Sequence, residues 1–440
     1  MSKLFLSIFF TLCVAVSFSQ SFKRQKMDSF LNRLVEKDKS MGSLAISKHG
    51  KVIYSKAVGF ASMKEGEKIQ ASEKTKYRIG SITKMFTGVI IMQLVEEKKL
   101  SLGETLAKHF PGIPNAAKIT VGNLLNHRSG IHNLTNDTAY PTYQYLLKSQ
   151  KEIIDIISKP APDFEPGSKA DYSNSNYILL GYLAEKITKK SFDKLVKERI
   201  AKKLDLKDTY VGSAADLKNN ESLSYSYSTG WQVEAQTDMS IPGAAGAMLS
   251  TPSDLVRFIS GLFSGKLISM ASLEKMKKME DKYGMAMFQI PFYKKIAYGH
   301  YGGIDAFRSA LGYFPADSMA FSYITNGSVY PTNDVVIGAL SIYFNEPFVI
   351  PSFETKVVSE KDLLQYIGNY SSKQMPLKIT VTTDGKLLMA QATNQSAFPL
   401  DAKGNHIFSF DQAGIVMEFN PMKNEFTLKQ GGGTFLFKKE

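Results

Sequence analysis

Cysteine is almost missing from this 440-residue chain. The single one, Cys13, lies in the apolar N-terminal segment, so nothing beyond it can form a disulfide or supply a thiol nucleophile. Long apolar runs are missing too. The longest N-terminal stretch, residues 4–16, falls short of the roughly 20 residues a membrane-spanning helix needs. The net charge of +13 is not gathered into basic-aromatic clusters, which excludes a recognisable nucleic-acid module and leaves a general attraction to acidic surfaces. There is no internal repeat and no low-complexity segment. His127 and His132 form neither a helical i, i+4 pair nor a set with nearby acids, so they read as loop packing rather than as metal ligands.

The N-terminus carries a three-part design: a basic start (Met1-Ser2-Lys3), an apolar core, and small residues at 17–19. This predicts a cleaved secretory signal at residues 1–19. Cys13 follows Leu12 rather than a small residue, against a lipoprotein. The expectation is a secreted or periplasmic bacterial protein with no transmembrane helix in the mature chain. At this length two domains are expected, with a hydrophobic content of 43% typical of globular chains.

Along the chain, residues 30–35 read as a helix, then 42–47 and 51–55 as two strands of a hairpin around His49-Gly50. Helical spacing recurs at 119–126, 177–187 and 251–263, the last opening with the capping sequence Thr251-Pro252-Ser253-Asp254. Strands at 309–314 and 319–325 flank Pro315-Ala316-Asp317, and 334–344 is a helix covering that sheet. The predicted fold is α+β: an antiparallel sheet completed by its N- and C-terminal segments and flanked by helices. A linker at 347–351 separates residues 20–346 from 352–440, whose short alternating strands predict a small all-β barrel or sandwich.

The chemistry centres on Ser81-Ile82-Thr83-Lys84, ahead of the apolar run 85–95. On a helix, positions i and i+3 share a face, so the Ser81 hydroxyl and the Lys84 amine can meet. A lysine at the root of a buried helix must find polar partners or lose its proton, and an amine in that state activates a neighbouring serine. Two further polar clusters stand where apolar segments end: Tyr172-Ser173-Asn174, and His300-Tyr301-Gly302-Gly303 after a strand.

Together these stretches resemble the serine β-lactamase and penicillin-recognising family, nearest its class C, D-alanyl-D-alanine carboxypeptidase and esterase branch. That family carries S-x-x-K, Y-x-N and K-T-G or H-x-G in this order. Residues 77–80, 124–131 and 243–255 match as well, and the likeness covers roughly 28–345. It implies that Ser81 attacks a carbonyl and that backbone N–H groups of Ser81 and Gly303 hold the oxyanion. Lys84 would keep Tyr172 near ionisation, with either as the acylation base, and Tyr172 would protonate the leaving group. Asn174, with Asn176 as its competitor, would bind Lys84 and the substrate amide. Gly302 would let the substrate approach the backbone, and His300 would line the site. Histidine stands where many class C lactamases carry lysine, and a mostly neutral imidazole ranks β-lactams last among substrates. Arg308 reads either as a carboxylate binder or as a surface arginine.

The resemblance thus implies a hydrolase working through an acyl-enzyme, without metal or organic cofactor. Its substrates would be D-amino-acid peptides, some derived from peptidoglycan, or small esters. The alternatives are a non-catalytic receptor for penicillin or cell-wall fragments on the same fold, and an interaction protein acting through its β domain. The segment 363–370 resembles the lipocalin-like β domain that often follows such catalytic domains.

Overall fold

The computed structural model describes residues 22–64, 67–430 and 433–440; the expected signal segment, 1–19, lies outside them. Among the described residues no helix is long and apolar enough to cross a membrane. Helix α1 (Arg24–Glu36) leads into strands β1 (Ser40–Lys48) and β2 (Lys51–Val58). The chain then builds a helical region around α2 (Thr83–Glu96), α3 (Asn174–Thr188) and α4 (Pro252–Phe263). It returns to the sheet as β3 (Phe288–Phe292), β4 (Lys295–Ile304), β5 (Phe307–Phe314) and β6 (Met319–Ser328), and closes with α5 (Thr332–Phe344).

The six strands form one antiparallel sheet in the order β3-β4-β5-β6-β1-β2. The N-terminal hairpin joins through β1–β6 pairing, the completion by both chain ends that the sequence predicts. Alternation along β1 explains the layers. Leu44 and Ile46 pack with α1 and α5 on one face. Ser43, Ala45 and Ser47 face the other, where Ser47 Oγ meets Ser260 Oγ of α4 at 3.1 Å. Small side chains there let α4 lie close, capped by Thr251, whose hydroxyl accepts from the Asp254 N–H at 3.2 Å.

Helix α2 is buried from Thr83 to Leu94, as its apolar composition all round requires. Phe86 stacks on Phe258 of α4 with centroids 3.8 Å apart. The functional end of α2 is therefore anchored by core on every side.

Beyond the linker, β7 (Gly368–Ser371), β8 (Lys378–Thr383), β9 (Leu388–Ala392), β10 (Phe398–Gly404), β11 (Ile407–Phe410), β12 (Ile415–Asn420), β13 (Glu425–Gln430) and β14 (Gly433–Lys439) form a closed barrel. The choice between barrel and sandwich is decided by Tyr370 and Ser371 pairing with Lys439 and Lys438, which removes both free edges. Its interior is filled by Tyr366, Tyr370, Phe408, Phe419, Phe426 and Phe437. The Lys39–Asp411 ion pair (3.0 Å) ties the barrel to the start of β1.

Candidate active site

Ser81 does not sit in the α-helix proper. It occupies a 3₁₀ turn, Gly80–Ile82, and α2 starts at Thr83. In a 3₁₀ turn i and i+3 eclipse, so the predicted meeting of Ser81 with Lys84 holds for a tighter reason. Ser81 Oγ and Lys84 Nζ are 3.0 Å apart. Gly80 makes the turn possible: its φ is +50°, and a Cβ there would lie 2.8 Å from the Gly303 backbone N.

Lys84 is fully buried, and burial holds its pKa well below the usual lysine range. Its amine lies 2.8 Å from the Ala245 carbonyl and 2.8 Å from Asn174 Oδ1. The Asn174 amide orientation follows from its Nδ2, which donates to Asn133 Oδ1 (3.2 Å) and Thr135 Oγ1 (3.1 Å). Both oxygens facing Lys84 can only accept, so each takes an N–H bond from the amine. Deprotonation of the amine would turn its lone pair toward the Ser81 hydroxyl, 3.0 Å away. Tyr172 completes the pattern by donating to Ser81 Oγ at 2.8 Å. Asn176, the competitor of Asn174, points elsewhere: its Oδ1 accepts from Ser129 Oγ at 2.6 Å.

The expectation that Lys84 keeps Tyr172 near ionisation is corrected. Burial raises the Tyr172 pKa, and the Ser81 hydrogen bond offsets only part of that. Lys84, itself pushed by burial toward the neutral amine, does not bring the phenol down toward ionisation. Lys84 Nζ lies over the Tyr172 ring, 4.9 Å from its centroid.

His127 packs against the Tyr172 ring at 4.5 Å, and its Nδ1 accepts the Ser173 N–H at 3.2 Å. It is a support for Tyr172, consistent with packing rather than ligation. His132 bonds Asp163 (2.8 Å) instead. His300 departs from expectation. It is 2% exposed, wedged between Phe288 (4.4 Å) and Tyr172 (6.3 Å), behind the site rather than on its wall. Burial takes its pKa down to about 3. His127 is pushed down by burial as well.

Both imidazoles therefore charge only on unfolding. Below about pH 6.5 the unfolded chain binds protons that the folded chain refuses, so stability should fall as pH drops from there. His132, raised by Asp163, opposes this from a partly exposed site. Urea midpoints measured from pH 7 to 5 should decline, and His127→Phe should flatten the slope. A midpoint independent of pH across that window contradicts the assignment.

Gly302 also has a different role from the expected one. A Cβ there would lie 2.1 Å from the Ile79 carbonyl and 2.3 Å from Ser309 Oγ. The close approach it permits is that of the protein's own Ile79–Ser81 turn, not of substrate. This packing brings the β4 backbone at Gly303 against the turn that carries Ser81, so the N–H groups of both residues belong to one corner of the site.

Ser81, Asn174 and Gly303 line a cavity of about 400 Å³, together with Thr237, Asp305 and Arg308. The sequence did not point to Asp305 or Thr237. Arg78 and Asp305 form a buried ion pair at 2.9 Å, 2% and 1% exposed. Arg78 also donates to the carbonyls of Thr237 (2.8 Å) and Ser213 (3.0 Å), while Asp305 accepts the Thr237 N–H (2.9 Å). One guanidinium two residues before Gly80 thus fixes the cavity wall. The signal available in sequence was Arg78 at the end of a strand leading into the serine turn, but its partner is 227 residues away.

The Beta-lactamase family model matches residues 27–340. Teichoic acid D-alanine hydrolase of Staphylococcus aureus is 26% identical over 289 residues, covering 64% of this chain and 70% of that protein. The crystal structure of D-amino acid amidase from Ochrobactrum anthropi SV3 superposes with a TM-score of 0.65 at 26% identity, over 73% of this chain and 98% of that one. The octameric penicillin-binding protein homologue from Pyrococcus abyssi (24% identity, TM-score 0.67) shares the fold over 94% of this chain and 99% of its own. With a serine, a buried lysine and a tyrosine meeting at one oxygen, and a family match spanning most of its length, this chain belongs to the Beta-lactamase family of serine hydrolases.

Proposed function

We propose that the chain hydrolyses an ester or amide through an acyl-enzyme on Ser81. The observation that carries this is Ser81 Oγ held between Lys84 Nζ (3.0 Å) and the Tyr172 hydroxyl (2.8 Å). Neutral Lys84 takes the Ser81 proton as Oγ attacks the carbonyl carbon. The developing oxyanion is met by the N–H groups of Ser81 and Gly303. The proton reaches the leaving group through Tyr172, which as a neutral phenol is a donor at pH 7. Water then repeats the attack in reverse order and frees Ser81. Asn174 holds the Lys84 amine and offers its amide to the substrate.

The relatives named for D-alanine and D-amino-acid chemistry support acyl groups of D-configuration, from small esters or peptides, including cell-wall-derived ones. Such substrates are met outside the cytoplasm, which accords with the signal design at residues 1–19.

The test is mass spectrometry of the intact protein after a fluorophosphonate and, separately, a D-alanyl ester. Wild type should gain one phosphonyl group, and Ser81→Ala should gain none while keeping its melting temperature. An adduct that persists in Ser81→Ala removes the nucleophile assignment. A D-alanyl adduct that never turns over would favour a receptor instead.

A further inference from the structure

The cavity holding Ser81 is already large enough for a small acyl group, at about 400 Å³. It does not end there. Gln144, Thr237, Asp305 and Arg308 also line a second cavity of about 830 Å³, so the two adjoin across this shared wall. The second is surplus to any single amino-acid derivative.

The charges at the junction are unequal. Asp305, the only acid on the first cavity's wall, is 1% exposed and spent on Arg78 and the Thr237 N–H. Arg308 is exposed, and its recorded hydrogen bonds run from Nη1 to the carbonyls of Asp305 (3.1 Å) and Phe307 (2.8 Å). Among the described residues no carboxylate pairs with it. Carbonyl dipoles orient the guanidinium without cancelling its charge, so the remaining donors are open to an anion. Glu234 lines the second cavity but not the one holding Ser81. Four tyrosines line that cavity, Tyr145, Tyr225, Tyr227 and Tyr330. Tyr145 is 50% exposed, and Tyr227 is braced edge-on by Trp231 (4.9 Å). Such rings offer flat faces and hydroxyls to a hydroxyl- or amide-rich chain.

We infer that the substrate carries an anionic group, a carboxylate or a phosphodiester, bound by Arg308, and that the limb bearing it continues into the tyrosine-lined second cavity. This rests on the acyl-transfer reading of Ser81.

The test uses the full chain and matched thioesters read by thiol release. One set carries the charge on the acyl limb and one on the thiol limb, each as a carboxylate, a phosphodiester or the neutral methyl ester. In wild type the anionic member of one set should be favoured in kcat/KM by about tenfold or more, the scale of one charge-assisted hydrogen bond. The preference should shrink as salt rises. Arg308→Gln should abolish it, Arg308→Glu should invert it, and Arg308→Lys should keep it within about threefold, since the charge remains. Comparison of the carboxylate and phosphodiester arms identifies the anion. Extending the favoured limb by one sugar or residue should raise kcat/KM further, and Ser226→Trp, which narrows the second cavity, should cancel that gain.

Equal rates for charged and neutral members in wild type, or a preference that survives Arg308→Gln, overturn the inference. If Arg308→Gln proves unfolded, the wild-type salt dependence and the lysine variant still decide. Absence of any thioester hydrolysis together with no fluorophosphonate adduct overturns the acyl-transfer reading itself, a distinct outcome.

Discussion

Lys84→Met lowers acylation of Ser81 by about 10²–10⁴-fold, the range of a lost general base. Tyr172→Phe falls in the same range, and the double variant is little worse than either alone. The reason is that both groups converge on one oxygen. Ser81 Oγ gives its proton to Lys84 and accepts one from Tyr172, so removing either partner breaks the same relay. The pH profile separates their roles. Lys84 must be neutral to act, and burial favours that state. Acid therefore removes activity by protonating the amine, whereas a phenolate base would lose activity already near neutrality because burial raises its pKa. Stopped-flow acylation by an activated ester across pH 4–9 measures this. Multiplicative losses in the double variant would show two independent functions.

Asp305→Ala costs about 3–5 kcal/mol of stability, the usual penalty for stranding one member of a buried ion pair. Arg78 is then a guanidinium held at 2% exposure with no carboxylate in contact, and the Thr237 N–H loses its acceptor. Asp305→Asn keeps an acceptor and should cost less. The double replacement Arg78→Met with Asp305→Ala should cost less than the two singles added, because no buried charge remains. Urea denaturation monitored by far-ultraviolet circular dichroism gives the values. An Asp305→Ala midpoint within error of wild type would mean the pair is solvated in solution. Activity should fall along with stability, since the pair fixes Thr237 on the cavity wall.

Much of this site was legible before any coordinates. Ser81 and Lys84 stand three residues apart, and Tyr172 and Asn174 stand at the mouth of a helix. Those local spacings hold whatever the rest of the chain does, because backbone geometry sets them. The hairpin at His49-Gly50, the Thr251 cap and the Pro315 turn were legible for the same reason. Helix α1 begins six residues before the apolar stretch that announced it, and Ser81 lies in a 3₁₀ turn rather than in α2. Such end effects depend on what the termini pack against.

Other features needed the whole fold. His300 and Arg308 are both basic side chains near the third motif, and spacing alone favoured His300 as the group facing substrate. The packing of Phe288 and Tyr172 around the imidazole buries it, while Arg308, across the β4–β5 turn, reaches the cavity. Gly302 looked like room for substrate and is room for the Ile79 carbonyl. The sequence by itself determined which groups could react, the order of the main helices and strands, and the presence of a β-rich C-terminal part. Tertiary structure alone decided that Lys84 is fully desolvated, that Arg78 and Asp305 share a wall, and that the C-terminal strands close into a barrel. Desolvation and pairing between residues hundreds of positions apart are properties of enclosed space, and residue spacing along a chain carries no measure of them.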